Sequence, residues 1–250
     1  MPPRYEVIGI EGIGEVQPGD DVARLVVNAA ARQRTPVAGG DVLVLSQKII
    51  SKSEGRLLDL RDVTPSTMAT TFATELGRDP RLIEVILRES RRVVRMDRGV
   101  LVAETRHGWV CANAGVDQSN VDAEMVALLP EDPDRSARAF RDAVRAATGG
   151  EIHVIVADTF GRPWREGLVN IAIGVAGFAP LRSYLGERDP AGRPLQATIL
   201  AIADELAAAA EPVMGKLDRI PAAIVRGLAL APSEEGSKAL LRDPARDLFR

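Results

Sequence analysis

A single cysteine in 250 residues, Cys111, rules out an internal disulfide and a cysteine-rich metal centre. It lies in an apolar run and reads as an inert buried thiol in a reducing compartment. Charge of one sign is also missing. The 32 Lys and Arg against 35 Asp and Glu leave a formal charge of -3, which provides no bulk field for a polyanion, so no nucleic-acid partner is expected. No apolar run approaches the ~20 residues that span a bilayer. The start Met1-Pro2-Pro3-Arg4-Tyr5-Glu6 has neither the basic start nor the apolar stretch of a signal peptide, and no membrane partner and a cytoplasmic location are expected. Histidine is scarce too. His107 and His153 are the only two, no Ser occupies a nucleophile elbow, and both histidines read as structural.

What is present is enough apolar residue, 46%, to build a real core. Strand-like and helix-like segments alternate without a repeat, giving a mixed α/β (α+β) class. Glu6 to Ile10 reads as a strand, and Pro18-Gly19-Asp20-Asp21 as a turn whose aspartate caps a helix through about Arg34. Asp41 to Leu45 reads as a buried strand. Ser46 to Gly55 has an apolar pair flanked by polar residues and is expected at a working surface. Helices are expected over Thr64 to Leu76 and from Asp79-Pro80 towards Arg91, then sheet over Val93 to Val102. Asp134 to Thr148 reads as a helix stopped by Gly149-Gly150. The Gly- and Ala-rich stretch Asn170 to Pro180 permits close backbone packing, Thr198 to Ala210 reads as an Ala-rich helix, and Ala222 to Leu228 as a strand. No Pro-, Gly- or Ser-rich linker divides the chain, so residues 1–250 are expected as one unit with interleaved lobes.

Two segments carry most of the chemistry. Val154 to Ala157 is an apolar strand that ends in Asp158, Thr159, Arg162 and Arg165, and Trp109 to Ala112 similarly delivers Asp117 and Asn120 into a Gly-containing loop. Two carboxylates beside Thr159 and Asn120 suit a hard divalent cation with room for phosphate. Taken singly, each aspartate is more commonly a turn former or helix cap. Lys48 and Lys52 similarly read as a solvated face when considered alone, Asp204 and Glu205 as surface acids, and Trp164 as packing. The usual nucleotide motifs are missing. Gly12-Ile13-Gly14-Glu15-Val16-Gln17 has no third glycine, and Gly215-Lys216 has neither the upstream glycine nor the following Ser or Thr of a Walker loop.

In order along the chain, Ser46-Gln47-Lys48-Ile49-Ile50-Ser51-Lys52-Ser53-Glu54-Gly55-Arg56, Ala114-Gly115-Val116-Asp117-Gln118-Ser119-Asn120, Asp158-Thr159-Phe160-Gly161-Arg162-Pro163-Trp164-Arg165 and Gly215-Lys216-Leu217 resemble the coenzyme F420-0:gamma-glutamyl ligase family. The likeness is greatest to the ligase domain of the two-domain actinobacterial form, which carries a nitroreductase-like flavin domain beyond it. It implies a ligase domain over residues 1–250 with a fold unlike the usual nucleotide folds, in an intertwined homodimer. It also implies GTP-dependent joining of L-glutamate to F420-0, or its dehydro form, through an acyl phosphate, with release of GDP and phosphate and with further gamma-linked glutamates as an option.

By the same resemblance, Asp117, Asp158 and Thr159 match ligands for one or two Mn or Mg ions, and a monovalent cation such as K is an added option. Ile13, Gly14, Glu15, Val16, Gln47, Lys52, Asn120, Gly215, Lys216 and Leu217 match positions that border the nucleotide. Arg162, counted with the two aspartates as catalytic, and Arg165 suit the phosphodiester or carboxylates of the substrates, because guanidinium forks bind such groups bidentately. Trp164 suits the wall of a deazaflavin pocket. A flavin-binding partner or domain is a further implication. Many archaeal members read Met-Gly-Gln where this chain has Met214-Gly215-Lys216, which puts a lysine cation where a metal contact is expected. Two alternatives stay open: another nucleotide-dependent carboxylate-amine ligase or phosphotransferase on the same scaffold, and a non-catalytic dimerisation module for a flavin partner.

Overall fold

The computed structural model describes residues 2–119 and 121–247. In chain order the elements are β1 (Glu6–Gly9), α1 (Val22–Arg32), β2 (Val42–Ser46), α2 (Gln47–Ser53), β3 (Leu57–Asp59), α3 (Thr67–Leu76), α4 (Pro80–Arg88), β4 (Ser90–Asp97), β5 (Val100–Thr105), β6 (Val110–Ala112), β7 (Met125–Ala127), α5 (Pro133–Thr148), β8 (His153–Arg162), β9 (Arg165–Ala176), β10 (Arg182–Ser183), β11 (Ile199–Leu200), α6 (Ile202–Met214) and β12 (Ala222–Arg226).

The main sheet has the order β1-β12-β2-β8-β9, with β2 and β8 parallel and the other pairs antiparallel. Both its faces are covered, which explains why β2 is apolar without alternation. Leu43 and Leu45 face one core with Val154 and Val156 of β8 and with residues of α1 and α5, while Val42 and Val44 face the other core with Ile155 and the Ala-rich side of α6. The small residues of β9 do permit close approach: a Cβ on Gly174 would overlap the Pro133 carbonyl at the start of α5.

The second lobe is built by the segment between α2 and α5. It pairs β3 with β7, forms the sheet β4-β5-β6, and packs α3 and α4 on a third core that includes Leu60, Ile83, Ile86, Leu101 and Val126. Strand β6 returns to the main lobe, placing Trp109 and Cys111 in the first core. One lobe thus interrupts the sequence of the other.

Capping residues set most boundaries. Asp21, Ser66, Asp79 and Asp132 accept N–H groups at the starts of α1, α3, α4 and α5, and left-handed Gly77 and Gly149 end α3 and α5. Helix α3 starts at Thr67 rather than Thr64, after Pro65. Helix α4 ends at Arg88 instead of nearing Arg91, because Ser90 already pairs with Thr105. Helix α1 stops at Arg32, while α6 runs past Ala210 through Pro212 to Met214.

Two expectations are corrected in ways that affect the site. Ser46 to Gly55 is only partly a surface segment: Ser46 caps α2, which buries Gln47, Ile49, Ile50, Ser51 and Lys52 while Lys48 stays half-buried at the site and Glu54 and Gly55 are exposed. Strand β8 does not stop at Asp158 but continues to Arg162 as one arm of a hairpin with β9. What ends there is the parallel partner, because the last β2–β8 pair is Ser46 with Ala157.

Candidate active site

The loss of β2 at Ser46 opens the sheet beside Asp158, and three separate parts of the chain converge there. Helix α2 begins at that point and brings Lys48. A 3-10 turn, Asn113–Gly115, follows β6 and leads to Asp117, whose backbone pairs with Ala127 through Asp117 N–Ala127 O (3.0 Å) and Ala127 N–Asp117 O (2.8 Å). Asp117 Oδ1 accepts the Ser119 N–H at 2.7 Å, and Oδ2 lies 2.8 Å from Lys48 Nζ. Lys48 Nζ also donates to Ser119 Oγ at 2.5 Å.

The two aspartates titrate in opposite directions. Burial pushes the Asp117 carboxyl up, but Lys48 and Ser119 more than offset that and hold it below the usual carboxylate range. Asp158 is pushed up to about 6, first by burial and further by the negative charge of Asp117, against the Thr159 N–H at 2.8 Å and the more distant Lys48 and Lys216. The aspartates are therefore close enough to repel, and Asp158 lacks full compensation. Its charge also reaches Cys111, whose thiol burial raises to about 12, as expected of an inert group.

Successive residues of a strand face opposite sides. Phe160 lies in the first core, with Val156 and Cys111, so Asp158 shares that side. Thr159 faces the α6 side. There its hydroxyl donates to Asn170 Oδ1 at 2.7 Å, Asn170 Nδ2 donates to Glu211 Oε2 at 2.6 Å, and Lys216 Nζ reaches both Glu211 Oε1 (2.9 Å) and Thr159 Oγ1 (2.5 Å). Thr159, Asn170, Glu211 and Lys216 form a closed ring of polar contacts.

The remaining sequence-predicted residues border this centre in different ways. Gly14 has φ +83, Ile13 and Val16 anchor their loop in the core, and Glu15 forms an ion pair with Lys52 of α2. Gln47 is 1% exposed; its Oε1 accepts Ser51 Oγ at 2.7 Å, and its Nε2 is a buried donor with no partner among the described residues. Gly215, at φ +60, ends α6 and turns Lys216 back towards Thr159, while Leu217 is 91% exposed. Arg162 is not brought to the carboxylates: its Nη2 donates to Glu166 O at 2.8 Å within the hairpin turn. Trp164, expected to pack, is instead 81% exposed at the tip of that turn. Asn120 lies outside the described residues.

Two residues of the ring, Asn170 and Glu211, were not singled out in the sequence. Glu211 did leave a signal, since an acid in the last turn of a helix opposes the helix dipole and wants a local cation. Asn170 is a lone amide opening the apolar run of β9, opposite Thr159 in register.

The fit to a divalent ion can be tested on this geometry. Among the described residues no three His, Cys, Asp or Glu side chains cluster tightly enough to hold a metal alone. Asp158, whose charge is incompletely compensated, and Asp117, held ionised by Lys48, together suit an ion that takes its other ligands from phosphate and water, as Mg and Mn do.

The chain matches the family model described as F420-0:Gamma-glutamyl ligase over residues 11–227. It is 46% identical over 247 residues to the coenzyme F420:L-glutamate ligase of Methanothermobacter thermautotrophicus, covering 98% of each chain. The protein of that name from Methanopyrus kandleri is 46% identical over 252 residues, covering 99% of this chain and 97% of its own. The one from Haloarcula marismortui is 41% identical over 252 residues, covering 98% and 95%.

Proposed function

This chain belongs to the F420-0:gamma-glutamyl ligase family, and from that premise we propose that it joins L-glutamate to coenzyme F420-0, or its dehydro form, using GTP. The observation that supports this most directly is the convergence where β2 ends of Asp158, of Asp117 held by Lys48, and of Thr159 held by Lys216. A carboxylate resists amines because its leaving group would be oxide. Activation by phosphate removes that obstacle: an oxygen of the acceptor carboxylate attacks the γ-phosphorus, the bond to GDP breaks, and an acyl phosphate forms. The glutamate amine then attacks the acyl carbon, phosphate leaves, and the amine proton is lost.

The first step brings an anion up to a polyanion, so cations on the phosphate oxygens must offset the repulsion. Asp117 and Asp158 would hold a divalent Mn or Mg ion, which would neutralise charge on the triphosphate, while the Thr159 hydroxyl, on the α6 side of β8, offers an oxygen to a separate cation. Lys48 and Lys52 supply positive charge from α2. The Gly14-Glu15 loop and Gln47 Nε2, which has no partner among the described residues, offer polar groups to the nucleotide. Arg162 and Arg165, on the hairpin beyond Asp158, suit the anionic groups of F420-0 or glutamate.

A homodimer is part of this reading. Trp164, Leu168, Leu185, Ile199 and Leu217 are large apolar side chains left exposed on the hairpin, on β10–β11 and on the loop after α6, and a second copy would cover such surface. A flavin-binding partner, further gamma-linked glutamates and a monovalent cation stay within the proposal.

The test is mass spectrometry of F420-0 incubated with the protein, GTP, Mn and L-glutamate. A gain of one or more glutamyl units with matching GDP release is expected. No mass shift would overturn the reading.

A further inference from the structure

Taking the nucleotide and metal reading above as its basis, we infer that Lys216 occupies the place of a second divalent cation, so that this chain assembles its nucleotide around one metal ion. The oxygen donors at the centre fall on two sides of β8. Asp158 faces the first core, with Asp117 as its electrostatic neighbour, whereas Thr159 faces α6. A single ion held by Asp117 and Asp158 leaves the Thr159 side as a separate cation position.

That position already holds a cation. Lys216 Nζ contacts Thr159 Oγ1 at 2.5 Å and Glu211 Oε1 at 2.9 Å. The Thr159 proton is directed to Asn170 Oδ1, so the hydroxyl oxygen presents lone-pair density to the ammonium. Asn170 is 4% exposed, and its amide holds the other Glu211 oxygen at 2.6 Å. Both acceptors are thus oriented before any ligand arrives. A dication bound to the same hydroxyl at roughly 2.0–2.6 Å would meet the ammonium at repulsive range.

The backbone fits this role. Lys216 is the second residue past the end of α6, where unpaired carbonyls favour positive charge. Gly215 takes φ +60 and ψ -172, a backbone conformation essentially confined to glycine, so the turn that aims the lysine depends on it. An ammonium cannot draw ligands around itself as a metal does, but it supplies positive charge beside the phosphates without depending on metal concentration.

The stoichiometry of manganese tests this without measuring turnover. The full chain with a non-hydrolysable GTP analogue and excess Mn should bind one Mn per nucleotide by native mass spectrometry, with the six-line electron paramagnetic resonance signal of an isolated ion. Lys216→Gln should bind two, with the exchange-coupled spectrum of ions about 4 Å apart, while Lys216→Arg should still bind one. Two coupled ions in the unaltered protein would overturn the inference, as would a single ion in Lys216→Gln. Nucleotide binding with no Mn at all would overturn the metal reading beneath it as well, which separates the two failures.

Discussion

At the scale of residues, the centre places chemistry and stability in opposition. Asp158 is held where burial and Asp117 both disfavour its charge, which is costly unless a cation compensates. Asp158→Asn is nearly the same size and removes that charge. It should lower ligase turnover by roughly 100-fold or more, while the metal-free protein at pH 8 should melt no lower than the original. Turnover assays beside calorimetry check both halves, and a variant that loses stability in step with activity would contradict the assignment.

The two histidines supply a pH dependence of known sign. Burial is the main cause that lowers both His107 and His153 below the ordinary value of 6.5. Nε2 of His107 lies 3.1 Å from the carbonyls of Pro130 and Glu131, so that nitrogen carries the proton, and the buried Nδ1 has no hydrogen-bond partner among the described residues. Both imidazoles are neutral in the fold, and unfolding lets them take up protons. Their contribution is therefore full above pH 6.5 and is lost as pH falls from there towards the folded values. NMR titration of the two ring protons should show both midpoints below 6.5, with stability falling over the same range; a midpoint above 6.5 would contradict this.

At the scale of elements, the β9–α5 contact is the one most sensitive to a single methyl. Gly174→Ala places a Cβ against the Pro133 backbone, which cannot rotate away as a side chain can, and should cost about 1–3 kcal/mol in urea denaturation. An unchanged midpoint would mean that β9 and α5 are less closely packed.

Elements were legible where short-range chemistry sets them. Asp21, Asp79-Pro80 and Gly149 mark helix ends in the sequence because their capping partners lie within a few residues. The end of β8 was not legible. Alternation continues through Asp158 whether or not a neighbouring strand is present, and only the departure of β2 into α2 makes this the site. The burial of α2 was hidden for a related reason: Lys52 and Gln47 look like surface residues until the loop carrying Glu15 covers the helix. The motifs containing Asp117 and Asp158 were readable, but the ring was not, because Asn170 and Glu211 are 41 residues apart and meet only when α6 packs on β9.

At the scale of the whole molecule, two lobes with separate cores meet at one centre: the first supplies Lys48, Asp158 and Lys216, and Asp117 comes from the segment that leaves the second. If a second copy covers the exposed apolar side chains that follow Asp158, sedimentation equilibrium should give twice the 26.8 kDa chain mass. Leu168→Glu, at a position 66% exposed, should shift that mass towards the monomer without lowering the melting temperature of the chain. A monomeric original protein would remove the dimer from the proposal and leave the centre intact.

The central claim is that Asp117 and Asp158, delivered by different lobes, bind the same ion against the nucleotide. Anomalous scattering at the manganese edge, from crystals soaked with Mn and a GTP analogue, tests it most directly. The account expects a peak about 2.0–2.6 Å from an oxygen of each aspartate and in contact with phosphate. A peak elsewhere, or nucleotide bound with neither aspartate touching metal, would contradict it.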